Sequence, residues 1–160
     1  KKEFGLDFRV PGEYVVALEK QEDKMIWLRS DDSESALNLV IQKLDYTSKD
    51  QISKQEIKRL RDAFGKAYVS SSEPGSYMVT NDADLPMYDY TIDINGMYAL
   101  ETRGIWEINN DFLGGPFASY LIMSQDQKTL YFIDTFVYAP GKNKRDLCQQ
   151  LELIVKSMKS

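Results

Sequence analysis

The sequence contains no histidine and only one cysteine, Cys148. Without histidine the chain lacks the commonest general base and the commonest metal ligand, so a Ser-His-Asp or Cys-His catalytic site cannot form within it. A single cysteine excludes an internal disulfide and a zinc site built from several cysteines. We therefore expect no metal and no cofactor, and we expect Cys148 to be a small buried apolar residue.

Long apolar runs are also missing. The longest, Tyr14 to Leu18, is far shorter than the roughly 20 residues that cross a bilayer, so no transmembrane span is expected. The net charge of −5 disfavours nucleic acid as a partner, because the acidic surface repels phosphates. The 160 residues are 42% hydrophobic and 28% charged, which is typical of one globular domain covering residues 1–160.

Alternation of apolar and polar residues predicts a succession of strands separated by turn residues. The dipeptide Asn95-Gly96 is a strong hairpin signal within this succession. The predicted strands are Leu6–Val10, Tyr14–Glu19, Met25–Arg29, Leu37–Tyr46, Tyr77–Thr80, Tyr88–Ile94, Met97–Ile108, Phe117–Met123 and Thr129–Tyr138.

Two segments have the periodicity of amphipathic helices. The first, Ser53 to Tyr68, begins with the capping box Ser53-Lys54-Gln55-Glu56. Its apolar stripe contains Ile57, Leu60, Phe64 and Ala67, while Lys58, Arg59, Arg61 and Lys66 are expected on the solvated side. The second, Lys144 to Met158, has a stripe of Leu147, Cys148, Leu151, Ile154, Val155 and Met158.

The order of these elements predicts an α+β fold, in which helices pack on a strongly twisted antiparallel sheet. Phe117–Met123 and Thr129–Tyr138 are apolar on both faces, as expected for central strands covered on each side. In Met97–Ile108 the even positions from Tyr98 to Ile108 are expected in the core, and Glu101, Arg103 and Glu107 on the opposite face. Gly114-Gly115-Pro116 is expected to form a tight turn.

Glu101, Arg103, Trp106, Phe112 and Arg145 make up our candidate binding set. Glu101 and Arg103, with Glu107, form either a polar groove that binds a ligand, or a solvated sheet face or cross-strand salt bridge. Arg145 lies in the first helical turn, where a cation needs a partner, and Glu101 or Asp134 is a suitable carboxylate. Phe112 either projects from its loop toward a partner or folds back over the core.

Asp134 interrupts an apolar strand and therefore needs a partner or a raised pKa. If the hairpin closes with Ser124 opposite Thr129, Ser119 lies across from Asp134 and can satisfy it. The rival interpretation makes Asp134 a general acid. Two acidic segments, at residues 31–34 and 81–84, are read as solvated loops rather than calcium sites, because neither has the pattern of an EF-hand.

Several motifs from residue 75 onward resemble a family of Bacteroidetes envelope lipoproteins, known as the domain of unknown function family 4837. The segments that carry the resemblance are Gly75–Met78, Glu101–Trp106, Asn110–Phe117, Phe136–Pro140, Lys144–Asp146 and Leu151-Glu152. The resemblance implies a cell-envelope location, on the periplasmic side or as an outer-membrane lipoprotein, with a lipid anchor upstream. It also implies that this chain, which begins without methionine, is the C-terminal half of a longer lipoprotein. The order of elements is similar to the PsbP-like α/β/α sandwich.

These observations favour a non-enzymatic binding or assembly module of an envelope lipoprotein, with an envelope protein or a small ligand as its partner. Two alternatives remain open. One is a hydrolase with paired carboxylates drawn from Asp134, Glu101 and Glu107. The other is a carrier of a small glycan or lipid, with a pocket lined by aromatic side chains.

Overall fold

The computed structural model describes residues 2–32, 34–70, 74–83, 85–109, 113–140 and 144–160. Within these residues lie ten strands, two α-helices and a short 3-10 helix at Lys49–Gln51. The strands are β1 (Lys2–Glu3), β2 (Leu6–Asp7), β3 (Val15–Lys20), β4 (Met25–Asp31), β5 (Ala36–Asp45), β6 (Met78–Asn81), β7 (Tyr88–Ile94), β8 (Met97–Ile108), β9 (Gly114–Met123) and β10 (Thr129–Tyr138). The helices are α1 (Lys54–Tyr68) and α2 (Lys144–Lys156).

Eight strands form one open antiparallel sheet in the order β3-β4-β5-β10-β9-β8, beyond which β6 and β7 both pair with β8. β1 and β2 form a separate hairpin. The predicted α+β fold, with two helices packed on an antiparallel sheet, is confirmed. The strand expected at Leu6–Val10 is shorter, since only Leu6–Asp7 has strand pairing.

The two helices pack on opposite faces of the sheet. Leu151, Ile154 and Val155 of α2 pack with Ile122 and Ile133. On the other face, Ile57 of α1 packs with Leu121 and Phe132, which precede Ile122 and Ile133 in the sequence. Phe64 of α1 packs with Trp27 and Phe136. Because both faces are covered, Leu130 to Val137 of β10 are buried without interruption, as expected for a central strand.

Covering both faces overturns the predicted division of β8 into a core side and a solvated side. Tyr98, expected in the core, is 44% exposed, whereas Glu101, expected on the solvated face, is only 6% exposed. The face that carries Ala99 and Glu101 lies beneath α2, and the face that carries Leu100 and Trp106 lies on the α1 side. The alternation of residues along β8 correctly separates its two faces. It does not reveal that a helix covers each face.

The start of α1 is confirmed, although its capping box is incomplete. The Ser53 hydroxyl accepts a hydrogen bond from the Glu56 amide, while the Glu56 carboxylate pairs with Arg59. A reciprocal capping box occurs one turn earlier, between Ser48 and Gln51. Within the helix, Ala67 is exposed and Arg61 is buried, which reverses their predicted positions.

The predicted tight turn at Gly114-Gly115-Pro116 is wrong, because these residues begin β9 and pair with Glu107, Trp106 and Ile105. Gly115 is required by close packing rather than by a turn. A Cβ at Gly115 would lie 2.1 Å from the Val137 carbonyl oxygen. The glycine therefore lets two backbones meet at a distance that no side chain permits.

The hairpin at Asn95-Gly96 is confirmed, with both residues in the left-handed region that such turns need. The Asn95 side chain donates hydrogen bonds to the carbonyls of Lys156 and Met158, and so secures the end of α2. Asp7 and Lys159 then form a β-bridge that holds the last residues against β2. Within the described residues, no helix combines the length and apolar character needed to span a membrane.

Candidate functional site

A partly enclosed cavity of about 240 Å³ lies where the C-terminal end of α1 meets the sheet. Its most prominent feature is a set of four aromatic rings from three strands, β4, β8 and β10. The residues that line it are Trp27, Arg29, Ala36, Asn38, Val69, Ser70, Trp106, Ile108, Leu113, Phe136 and Tyr138. We call this cavity the aromatic pocket.

The rings of the aromatic pocket are packed against one another. Phe136 lies between the two tryptophans, with centroid distances of 6.4 Å to Trp27 and 6.0 Å to Trp106. Tyr138 lies 6.4 Å from Trp106, and Phe64 of α1 meets Trp27 edge to face at 5.3 Å. These spacings are those of stable aromatic pairs, so the walls are held in place before any ligand arrives.

The two indoles and the Asn38 amide in the pocket wall already have partners inside the protein. The Trp27 indole donates to Asn38 Oδ1, and the Asn38 amide donates in turn to the Phe136 carbonyl. The Trp106 indole donates to the Val137 carbonyl. The pocket therefore offers a ligand mainly aromatic faces rather than free indole N–H groups.

Arg29 provides the charge at the mouth of the aromatic pocket. Its guanidinium carbon lies 5.9 Å from the centroid of the Trp27 ring, which is within cation–π range. Its Nε donates to Asp31 Oδ1 at 2.8 Å, and 39% of its side chain is exposed, whereas Trp27 is 8% exposed. Among the described residues, none accepts a hydrogen bond from its two terminal nitrogens.

Glu101 and Arg103, two candidate residues from the sequence, form a charged cluster beneath α2. Arg103 binds Glu101 through two nitrogens, with both donor–acceptor distances at 3.2 Å. The Arg103 Nη2 atom also lies 3.4 Å from the Glu152 carboxylate of α2, and Lys156 pairs with Glu152 from the following turn. The cluster therefore links β8 to α2 through ion pairs, rather than forming a solvated face or a cross-strand salt bridge. The predicted ligand groove stays a prediction.

The protonation equilibria of this cluster follow from its ion pairs. Burial acts to lower the pKa of Arg103, but its hydrogen bond to Glu101 and the charges of Glu101 and Glu152 outweigh burial and raise it. Burial acts to raise the pKa of Glu152, but Lys156 and Arg103 outweigh burial and lower it. Burial and the Glu101 charge raise the pKa of the Tyr120 hydroxyl, which lies across from Glu101 without a hydrogen bond of ordinary geometry to any described residue. A lowered pKa keeps Glu152 ionised, which does not suit a general acid.

Asp134 belongs to a second buried cluster, on the α1 side of the sheet. Its Oδ1 accepts hydrogen bonds from Ser119 at 2.7 Å, as predicted, and from Arg61 Nε at 2.9 Å. Arg61 and Asp134 are both fully buried, and Arg61 Nη1 also donates to Thr80 at 2.8 Å. The prediction that Arg61 lies on a solvated helix face is therefore wrong.

Two candidate residues, Arg145 and Phe112, remain to be placed. Arg145 is exposed in the first turn of α2, while Glu101 and Asp134 have Arg103 and Arg61 as ion-pair partners. Its predicted contact with either acid stays a prediction. Phe112 lies outside the described residues, so its role also stays a prediction.

Cys148 and the acidic loops complete the list of candidates. Cys148, expected to be a buried apolar residue, is half-buried and packs against the core, and burial raises the pKa of its thiol against the opposing effect of Arg103. In the first acidic loop, Asp32 Oδ1 accepts hydrogen bonds from the amides of Glu34 and Ser35, so it stabilises its own turn. No group of three or more acidic or cysteine side chains among the described residues is placed to hold a metal ion.

The sequence singled out Trp106 but missed the rest of the aromatic pocket. The missing signal is spatial, because Trp27, Phe136 and Tyr138 lie far from Trp106 along the chain and meet only through strand pairing. The motif Phe136-Val137-Tyr138 is the clue that the sequence offers to this pocket. The register places Tyr138 opposite Ala36. Asn38, which lies two residues after Ala36 on β5, binds Trp27 and completes the pocket wall.

Comparisons with known proteins identify a family but no activity. A family model described as "Domain of unknown function (DUF4837)" matches residues 1–157, including the N-terminal half, where the sequence motifs are less distinctive. No curated protein matches the chain. Among matching solved structures is LpqN of Mycobacterium tuberculosis, described as involved in cell envelope biogenesis. It has a TM-score of 0.49 and 12% identity, over 96% of this chain and 82% of that chain, which is too low to support an argument from similarity.

Proposed function

The chain belongs to the DUF4837 family of domains of unknown function, and we propose that it is a non-enzymatic binding module whose binding site is the aromatic pocket. The observation that supports this proposal is the convergence of Trp27, Trp106, Phe136 and Tyr138 around one cavity. Binding sites for small molecules are typically concave, mostly apolar and formed in advance. The interlocked rings of this pocket have these properties, and Arg29 adds a polar group at the entrance.

A hydrolase with paired carboxylates is the alternative from another class. Glu101 and Glu152 do converge on Arg103 Nη2, which satisfies the first requirement for such an enzyme. However, the guanidinium lies between the two carboxylates, and the pKa of Glu152 is lowered rather than raised. Asp134 has no exposed surface and is paired with Arg61. This arrangement favours a structural role for all three acids.

We also propose that the module is the C-terminal half of a lipoprotein of the bacterial cell envelope, with PsbP-like topology. The support is the set of motifs between Gly75 and Glu152 that resemble Bacteroidetes envelope lipoproteins, together with the two helices on opposite faces of the sheet. We expect the full-length protein to incorporate labelled palmitate and to fractionate with membranes. A protein that is unlabelled and found in the cytosolic fraction would contradict this assignment.

Ligand binding by the purified chain tests the pocket directly. The chain has only two tryptophans, and both line the aromatic pocket, so intrinsic fluorescence reports on its occupancy. We expect at least one member of a panel of short fatty acids, alkanols, mono- and disaccharides to change the tryptophan fluorescence saturably and to raise the melting midpoint. If no member does either, the pocket is not a small-ligand site.

A filled pocket provides the control. Ala36 is buried in the pocket wall, so Ala36→Leu should abolish the fluorescence change by occupying ligand space. Ala63→Leu makes the same change on the exposed side of α1 and should leave binding intact. Loss of binding in both variants, or in neither, would argue against this location of the site.

A further inference from the structure

We propose that the aromatic pocket binds an amphipathic anion, whose apolar chain or ring contacts the aromatic walls and whose carboxylate or phosphate binds Arg29. This inference depends on the function proposed above, because it specifies the ligand of the same pocket. Three features of the pocket support it: the state of its internal hydrogen bonds, the position of Arg29 and the volume.

The interior selects an apolar group. Both indole N–H groups donate to protein acceptors, and Asn38 uses its oxygen and its amide on Trp27 and Phe136. A ligand hydroxyl or charge placed among the rings would lose its hydration and gain little in exchange. A sugar, with hydroxyls around its whole edge, therefore fits this interior less well than an alkyl chain.

The mouth selects an anion. The Arg29 guanidinium is held over the Trp27 ring at 5.9 Å, and the bond between Nε and Asp31 fixes its plane. Its terminal nitrogens have no acceptor among the described residues, and the side chain as a whole is 39% exposed, so a ligand can approach it from solvent. A guanidinium with two terminal nitrogens available matches a carboxylate or a phosphate, which can accept two parallel hydrogen bonds.

The volume sets the length of the apolar part. A cavity of about 240 Å³ has room for about eight groups of the size of a water molecule. An eight-carbon chain is therefore a suitable probe. The overall charge of −5 opposes an anionic ligand at long range, but at physiological ionic strength charges more than about 8 Å away are largely screened.

Four probes separate the contributions of chain and charge. Tryptophan fluorescence is titrated with octanoate, octyl phosphate, octan-1-ol and inorganic phosphate, at the same pH and ionic strength. We expect the two octyl anions to bind about tenfold more tightly than octan-1-ol, and inorganic phosphate alone not to bind in the same range. The ratio between octanoate and octyl phosphate shows which anionic group the mouth prefers.

Variants of Arg29 connect the charge effect to one residue. Arg29→Gln should reduce the affinity for octanoate to that of octan-1-ol, and Arg29→Lys should restore part of the difference. Arg59→Gln removes the same charge from the exposed surface of α1 and should have no effect. Melting midpoints of all variants establish that each is folded.

The outcomes distinguish this inference from the function on which it depends. Equal binding of octanoate and octan-1-ol, or octanoate binding that is unchanged by Arg29→Gln, would overturn the anion preference and leave the pocket as a binding site. Binding of inorganic phosphate alone as tightly as octyl phosphate would overturn the role of the apolar chain. If no probe and no member of the wider panel binds, the proposed function itself fails.

Discussion

Arg61 is a fully buried arginine on a helix that was expected to expose it. Its guanidinium carbon lies 3.8 Å from the centroid of the Phe117 ring, while Asp134 and Thr80 accept its hydrogen bonds. The neighbouring Asp62 carboxylate accepts a hydrogen bond from the Thr80 amide. The consecutive residues Arg61 and Asp62 of α1 therefore both bind β6. These partners offset the cost of burying the Arg61 charge. Removing either Arg61 or Asp134 leaves the other charge buried without compensation.

The first prediction concerns this ion pair. Arg61→Met should lower the free energy of unfolding by about 3–5 kcal/mol, because Asp134 is left buried without its cation. Adding Asp134→Asn to Arg61→Met should recover part of the loss, since the stranded charge is removed. Urea denaturation of the two single variants and the double variant measures the coupling between the residues. Additive losses would show that the pair is not energetically coupled.

The second prediction concerns the contact between β9 and β10. Gly115→Ala places a methyl group against the Val137 carbonyl and should lower the free energy of unfolding by at least about 1–3 kcal/mol. Gly12→Ala is the matched control, because a Cβ at Gly12 has no atom within 4 Å. Similar melting midpoints for the two variants would show that the close approach has no energetic importance.

The burial of Arg61 could have been inferred from spacing but was excluded by residue type. Arg61 lies four residues after Ile57 and three before Phe64, which places it within the apolar stripe. Charged residues are rarely buried without a partner, and the partner, Asp134, is distant in the sequence. The same sequence predicted the contact between Asp134 and Ser119, because a hairpin fixes its own register.

The helix α2 covers one face of the sheet and is fixed at three places. Its apolar stripe enters the core, Glu152 pairs with Arg103, and the Asn95 side chain binds the last carbonyls. Local signals predicted this element well, since periodicity alone gave the stripe from Leu151 to Met158. The start of β9 was predicted poorly, because Gly114 and Gly115 are usually turn residues and only the contact with Val137 explains them.

The third prediction tests how α2 is anchored in the core. Leu151 is 1% exposed and Leu153 is 70% exposed on the same helix, so they form a matched pair. Leu151→Ala should lower the free energy of unfolding by about 2–5 kcal/mol. Leu153→Ala should change it by less than about 0.5 kcal/mol. An unfolding midpoint that is unchanged by Leu151→Ala would show that α2 does not contribute to the core.

The fourth prediction concerns the pH dependence of this anchor. The folded pKa of Glu152 is lowered, so its stabilising effect is fully present above its ordinary value of 4.5 and is lost as the pH falls through the folded value. Glu152→Gln should therefore destabilise the protein at pH 7, by about 0.5 kcal/mol for a partly exposed pair, and have little effect at pH 2. Urea midpoints at the two pH values check this, and an equal effect at both would exclude the ion pair as its cause.

At the scale of the whole molecule, the open sheet with a helix on each face follows from strand and helix signals, whereas the aromatic pocket does not. The pocket needs β4, β5, β8, β10 and the end of α1 in one place, and this depends on the pairing of β5 with β10. No local signal in Ala36–Asp45 specifies β10 as its neighbour. The sequence therefore predicted the elements more reliably than the site that they assemble.

The pairing of β5 with β10 also has a kinetic consequence. It joins ten residue pairs, Ala36 with Tyr138 through Asp45 with Thr129, across most of the length of the chain. The strands on either side, β3 to β5 and β7 to β10, can form as local antiparallel hairpins. Pairing of β5 with β10 requires the ends of a long intervening segment to come together first, which is entropically costly and slow. During synthesis β5 must remain an unpaired, largely apolar edge until β10 leaves the ribosome, so we expect the nascent chain to be most prone to aggregation in that interval.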